Sequence, residues 1–370
     1  MRHTRWTVAV TGIAAIALTL SACGSKASPS ANTGGGGSGG SGGAGSSTAS
    51  TASYKACMVT DTGGINDKSF NQSAYQGLTE AQGAGAATVS YLPSTQTSDY
   101  AKNISAEQGQ GCKMIVTVGY LMADATDAAA KAAPSQHFAI VDNTGNGKNV
   151  EGLLFNTAQA GFEGGYLAAG YSKTGKVATY GGEDFATVTV YMDGFWEGVQ
   201  YYNKMHHKNV QVLGWNEKTQ KGSFAGSFTD QTKGSQLAKN FMQAGADVIY
   251  PVAGGTGLGT AAAVKAANNG TVVIWVDTDG CISAKQYCSV FLTTTYKGIQ
   301  PAVKTAVENG AKGKYTGTNY VGTLANGGTG LSPYHDFASK VSSTLKSEVA
   351  QVGKDIESGK IKIQSKNQPK

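Results

Sequence analysis

Ten short, almost wholly apolar segments recur along this chain, separated by longer stretches with helical spacing, and no other feature limits its fold as tightly. The first series is 56–60, 87–92, 114–119, 137–142 and 152–156; the second is 176–181, 210–215, 247–254, 272–277 and 290–296. Between the first two, Phe70, Ala74, Leu78 and Ala81 fall on a single helical face. Similar stripes run through 158–172, 188–204, 231–244, 257–268 and 298–310. Strands that are apolar on both sides need cover on both sides, which means parallel sheets flanked by helices. The expectation is an α/β protein with two doubly wound parallel-sheet lobes. About 317 residues, 54 to 370, carry this pattern, more than one core usually supports.

The residues before 54 do not share it. Arg2 and Arg5 precede an uncharged, mostly apolar run from Thr7 to Leu20, followed by Leu20-Ser21-Ala22-Cys23. A basic start, a short apolar stretch and small residues predict a secretory signal peptide over 1–22, too short to span a membrane comfortably. The ending resembles the bacterial lipobox, which implies cleavage before Cys23 and a lipid on its thiol; an ordinary signal with a nearby cysteine is the plainer alternative. From there to 53 the chain is nearly all Gly, Ser, Ala and Thr, and predicts a flexible tether. The expected protein is held by lipid at the extracytoplasmic face of the cell membrane without spanning it.

Four cysteines remain, Cys57, Cys112, Cys281 and Cys288, an even number after an export signal. Cys281 and Cys288 flank a polar turn and could close a small loop. Cys57 starts one apolar strand and Cys112 precedes another, so adjacent strands could join them; four free buried thiols are the other reading. No Cys-x-x-Cys pair or histidine cluster suggests a metal, and no cofactor is expected. Removing Arg2 and Arg5 takes the net charge from +6 to +4, and the lysines are scattered, which argues against a nucleic-acid partner.

In open parallel sheets, ligands bind outside the carboxyl ends of the strands. The stretch 60-TDTGGINDKSFNQ-72 follows the first strand and gathers Asp61, Asn66, Asp67 and Asn71 around a Gly63-Gly64 pair and one ring, Phe70. Other strand ends carry Tyr120 with Asp124, Asp142, 182-GEDF-185, Phe224 and Phe228, 254-GGTGLG-259, and Asp277. Phe70 is either a face for a planar ligand or the first rung of its helix. Asp61, Asp142 and Asp277 could each cap a helix, but three at equivalent ends point to one ligand with hydrogen-bond donors. Gly254 and Gly255 fit a tight turn that lets backbone approach a neutral ligand, because neither Gly-x-x-x-x-Gly-Lys-Ser/Thr nor Gly-x-Gly-x-x-Gly is present there. With no Gly-x-Ser-x-Gly elbow, no His-Glu-x-x-His, and His137 and His335 lacking an evident acid partner, an enzyme is not expected.

The stretch 58-MVTDTGGINDKSFNQSAYQGL-78 resembles the N-terminal signature of the basic membrane protein family of bacterial lipoproteins, to which purine nucleoside receptors belong. Further matches follow in order: 162-FEGGYLAAGY-171, 194-GFWEGVQYYN-203, 226-GSFTDQTKG-234, 248-VIYPVAGGTGLG-259 and 273-VIWVDTD-279. The resemblance implies a type I periplasmic binding protein fold with three crossovers between its lobes. It places the N-terminal lobe at 54–157 plus 297–322 and the C-terminal lobe at 158–296 plus 323–370, closed by 323-TLANGGTGLSPYHDF-337. It also implies a monomeric capture subunit that serves the permease and ATPase of an ABC importer for nucleosides. By this resemblance Asp61 and Asn71 hold the ligand, Phe70 stacks on a purine, and Asp142 bonds the nucleoside. Phe228 supplies a second ring, and Asp277 takes ribose hydroxyls with Gly254, Gly255 and Lys297. Extra residues at 216-NEKTQKGSFA-225 depart from the family pattern, leaving Trp215 and Phe224 as competitors for the second ring. Without an arginine cluster, nucleotides are expected to be poor ligands. A sugar or autoinducer receptor of the same fold, a signalling ectodomain and a nucleoside-cleaving enzyme are the alternatives.

Overall fold

The computed structural model describes residues 53–369; the expected signal peptide, Cys23 and the tether through 52 lie outside the described residues. In chain order the first half supplies β1 (Lys55–Thr60), α1 (Phe70–Gly83), β2 (Thr88–Leu92), α2 (Tyr100–Gly109), β3 (Met114–Val118), α3 (Ala123–Ala132), β4 (His137–Val141) and β5 (Val150–Phe155). The chain continues with α4 (Thr157–Tyr171), β6 (Lys176–Gly181), α5 (Ala186–His206), β7 (Gln211–Leu213), β8 (Trp215–Asn216), β9 (Lys221–Gly222) and α6 (Gln231–Gln243). After these come β10 (Val248–Val252), α7 (Thr256–Ala267), β11 (Val272–Asp277), α8 (Gly280–Ser283) and β12 (Phe291–Lys297). The closing elements are α9 (Ile299–Ala311), β13 (Tyr320–Gly322), β14 (Thr329–Leu331) and α10 (Ser343–Glu357).

Twelve of these strands form two six-stranded sheets, ordered β13-β5-β4-β3-β1-β2 and β14-β12-β11-β10-β6-β7, and β8 pairs with β9 alone. The fold is therefore α/β with two doubly wound lobes. The chain passes between the sheets at three places: from β5 to the second sheet through α4, from β12 into α9 and β13, and from β13 to β14. The apolar runs become central strands because both faces are covered: Ala56, Cys57, Met58 and Val59 alternate sides and are all fully buried. Helix α9 crosses back to pack on α1, where a side chain at Gly77 would collide with the Gln300 carbonyl at 2.3 Å. Between α4 and α5 the backbones nearly touch; a Cβ on Gly165 would lie 2.0 Å from the Phe195 carbonyl oxygen. That contact sets the register of α5 over its sheet.

Three departures from the sequence reading have local causes. The segment 210–215 is not one strand, because Gly214 turns at φ 80° and starts the β8–β9 hairpin built from the extra residues. Helices α2 and α3 lack a wide apolar stripe, burying little beyond Tyr100 and Ile104 or Thr126 and Ala130, so periodicity did not single them out. The second sheet is not purely parallel: its edge strand β14 pairs antiparallel with β12. Disulfides join Cys57 to Cys112 and Cys281 to Cys288, with Cα separations of 5.9 and 4.5 Å. Among the described residues no helix is long and apolar enough to cross a membrane.

Candidate ligand-binding site

The carboxyl ends of both sheets face one cleft, lined by residues of both lobes, the concave setting in which small-molecule sites are built. Asp61 continues β1, and its backbone N–H donates to the Val118 carbonyl of the neighbouring strand. One carboxylate oxygen accepts from Gly63 N–H at 3.0 Å and Asn71 Nδ2 at 2.7 Å. The other lies 2.6 Å from where a Cβ on Gly119 would sit, so only glycine fits beside it. Burial raises the Asp61 pKa; the bonds from Asn71 and Gly63 oppose that, and Asp142 and Glu183 add to it. Asn71 Oδ1 is buried with no partner. Such an atom is costly unless something fills it, and Asn71 lines the cleft.

The remaining loop residues divide sharply. Asp67 accepts from the backbone N–H groups of Ser69, Asn71 and Gln72 at 3.0, 2.8 and 3.1 Å. It is thereby the electrostatic cap of α1, and burial pushes its carboxyl up to about 7 against those three bonds. Asp67 touches the cleft with its acceptors already engaged. Asn66 is exposed and does not line the cleft, which corrects its placement among the site residues. Its neighbour turns inward to reach the α1 amides, leaving Asn66 facing solvent. Phe70 rests against the first-lobe core and also lines the cleft.

Asp142 and Asp277 follow or end corresponding strands, β4 and β11, and both adopt left-handed backbone, at φ 67° and 66°. Asp is among the few side chains that tolerate this conformation. Lys297 Nζ lies 2.7 Å from Asp142 and 4.0 Å from Asp277. It also sits 5.0, 5.3 and 5.9 Å from the ring centres of Phe70, Tyr191 and Phe155. Burial raises the Asp142 pKa and Lys297 pulls it back. Asp277 accepts from Ser69 Oγ at 2.6 Å and from Tyr191 OH at 2.8 Å. Burial holds the Tyr191 hydroxyl well above its ordinary pKa, so it stays a donor.

In the second lobe, Phe228 lines the cleft over Gly182, where a Cβ would lie 2.4 Å from its ring. The competitors do not reach it: Trp215 is buried, bonded to Asp193 at 3.0 Å, and Phe224 packs edge-on against Trp215. Gly254 and Gly255 form the turn into α7 and line the cleft, Gly254 at φ 51°. Sequence reasoning did not single out Tyr191 or Thr187, which project from α5 and read as helix interior, nor Phe185 as a ring of the cleft. Phe185 stacks on Phe228 at 6.5 Å and meets Tyr120 of the other lobe at 5.8 Å. In the sequence Phe185 and Tyr120 are only strand-end residues, and their meeting depends on how the lobes oppose.

A fold of two facing lobes with an acidic, ring-lined cleft defines a solute-capturing protein, and the comparisons agree. The profile of the Bmp family, described as ABC transporter substrate-binding protein PnrA-like, matches residues 54–367, and the chain belongs to that family. It is similar to the ABC transporter nucleoside-binding protein BmpA of Lactococcus lactis, 32% identical over 333 residues, covering 84% of this chain and 89% of that one. A CD4+ T-cell-stimulating antigen of Listeria innocua is 30% identical over 385 residues, with 99% of this chain and 100% of the relative covered. Among solved structures, an ABC transporter solute-binding protein of Aeropyrum pernix superposes with a TM-score of 0.75 at 25% identity, covering 84% of this chain and 93% of that one. The protein is thus a substrate-binding protein of an ABC transporter, a class that works with permease and ATPase subunits and is not enzymatic.

Proposed function

We propose that the cleft binds nucleosides, purine nucleosides foremost, and that a lipid on Cys23 holds the protein at the extracytoplasmic face of the cell membrane. The observation that carries the ligand reading is the pairing of an unfilled buried acceptor, Asn71 Oδ1, with the ring of Phe70 one residue away, both lining the same cleft. A flat base with N–H edges supplies a stacking face and donors together. The L. lactis relative, named as nucleoside-binding, supports the same class. Four carboxylates, Asp61, Asp67, Asp142 and Asp277, share the cleft with one ammonium, Lys297. That balance favours neutral ligands with hydroxyl and N–H donors over phosphates.

Titration calorimetry with inosine, guanosine, adenosine, uridine and inosine monophosphate tests this. Purine nucleosides bind, and the monophosphate binds roughly a hundredfold more weakly because its charge enters an acidic, water-poor site. No heat with any nucleoside, or equal affinity for the monophosphate, sinks the reading. The anchor is tested by the mass of the mature N-terminus; an unmodified Cys23 refutes it.

A further inference from the structure

The loop that opens the cleft also fastens it. Lys68 has left-handed backbone, φ 60°, which side-chain-bearing residues rarely adopt. This turn presents its carbonyl oxygen to the second lobe, where Trp275 Nε1 donates at 3.2 Å and Ser283 Oγ at 2.8 Å. The next residue, Ser69, is fully buried and donates its hydroxyl to the Asp277 carboxylate at 2.6 Å. Trp275 is also fully buried, and Asp277 is 7% exposed. All three contacts join residues more than 200 apart in sequence and bridge the two sheets. Lys297, which directly precedes the crossover into α9, makes a further bond between the lobes through Asp142.

From this geometry we infer that the Lys68–Ser69 turn is the closing latch of the cleft, and that Asp277 serves lobe closure through Ser69 as well as facing the ligand. Ser69, Trp275 and Ser283 are positioning residues: they hold the closed state without lining the site. A latch that favours the closed state stabilises the ligand-bound form, so its loss shows mainly in the dissociation rate.

The test uses the Ser69→Ala and Ser283→Ala proteins with inosine as probe, and this arm rests on the nucleoside reading. Loss of a hydroxyl bonded to a buried carboxylate speeds inosine release about tenfold in Ser69→Ala, with association within about twofold. Ser283→Ala, which leaves Trp275 on the same carbonyl, speeds release about threefold. Small-angle X-ray scattering of the ligand-free proteins needs no ligand: the parent holds a smaller radius of gyration than either variant. Unchanged melting temperatures show that the variants fold. If inosine fails to bind the parent, the nucleoside reading fails and the scattering comparison alone decides the latch. Release at the parental rate, or a parent as expanded as its variants, overturns it.

Discussion

Asp142 and Lys297 form a buried ion pair at 2.7 Å, their side chains 9% and 3% exposed, linking the end of one sheet to the end of the other. Two charges taken this far from water are stable only together, and the Phe70, Tyr191 and Phe155 rings around the ammonium leave little room for solvent to replace either partner.

Removing one partner is therefore expensive. Lys297→Met strands the Asp142 carboxylate and is expected to lower unfolding free energy by roughly 3–5 kcal/mol. Adding Asp142→Leu restores most of that loss while leaving the cleft unable to bind. Urea denaturation of the parent, single and double variants measures the loss and its restoration; a single variant within about 1 kcal/mol of the parent contradicts the pairing energy argued here.

The aromatic rings at these strand ends are of unequal standing. Phe70→Ala and Phe228→Ala each weaken inosine binding by roughly five- to thirtyfold, since a buried aromatic contact contributes on the order of 1–2 kcal/mol. Phe224→Ala, whose ring faces Trp215 outside the cleft, lowers the melting temperature but changes inosine affinity by no more than about twofold. Calorimetry on the three variants decides this. A loss at Phe224 matching that at Phe228 would mean the second ring has been misassigned.

Glu163 lies buried on α4, its Oε1 2.5 Å from where a Cβ on Gly353 would stand. Burial, reinforced by Glu357, pushes its pKa up from 4.5 to about 8. Between those values the unfolded chain has given up a proton that the folded protein keeps. This residue therefore makes stability fall as pH rises from about 4.5 to 8, with a slope approaching 1.4 kcal/mol per pH unit. Glu163→Gln removes that share, so its stability curve is flatter than the parent's across the same window. Parallel curves for the two proteins rule out a buried, protonated Glu163.

Much of the cleft is legible in the sequence, and the reason is local. A parallel strand must be apolar through its middle and can turn polar only where it leaves the sheet, so Asp61, Asp142 and Asp277 announced themselves as strand-end acids. Phe70 and Asn71 followed from the loop after β1. Asn66 did not, because adjacent residues of one turn face opposite ways and composition carries no direction. Asp67 belonged to its helix as much as to the cleft, since its acceptors meet the amides of Asn71 and Gln72 in α1 and of Ser69 just before it.

By itself, then, the sequence determined the alternation of strands and helices, the two-lobe α/β architecture and the strand ends where a ligand would be met, because each depends on short-range periodicity. Only the tertiary structure decided that Ser69 fastens to Asp277, that Tyr191 reaches the cleft from inside α5, and that Phe228 faces ligand space while Trp215 and Phe224 turn away. Those outcomes depend on the rotation of α5 against α4 and on an apposition of two lobes that brings together residues as distant in sequence as Ser69 and Asp277. Contacts of that range are set by packing of the whole body, which no window of neighbouring residues encodes.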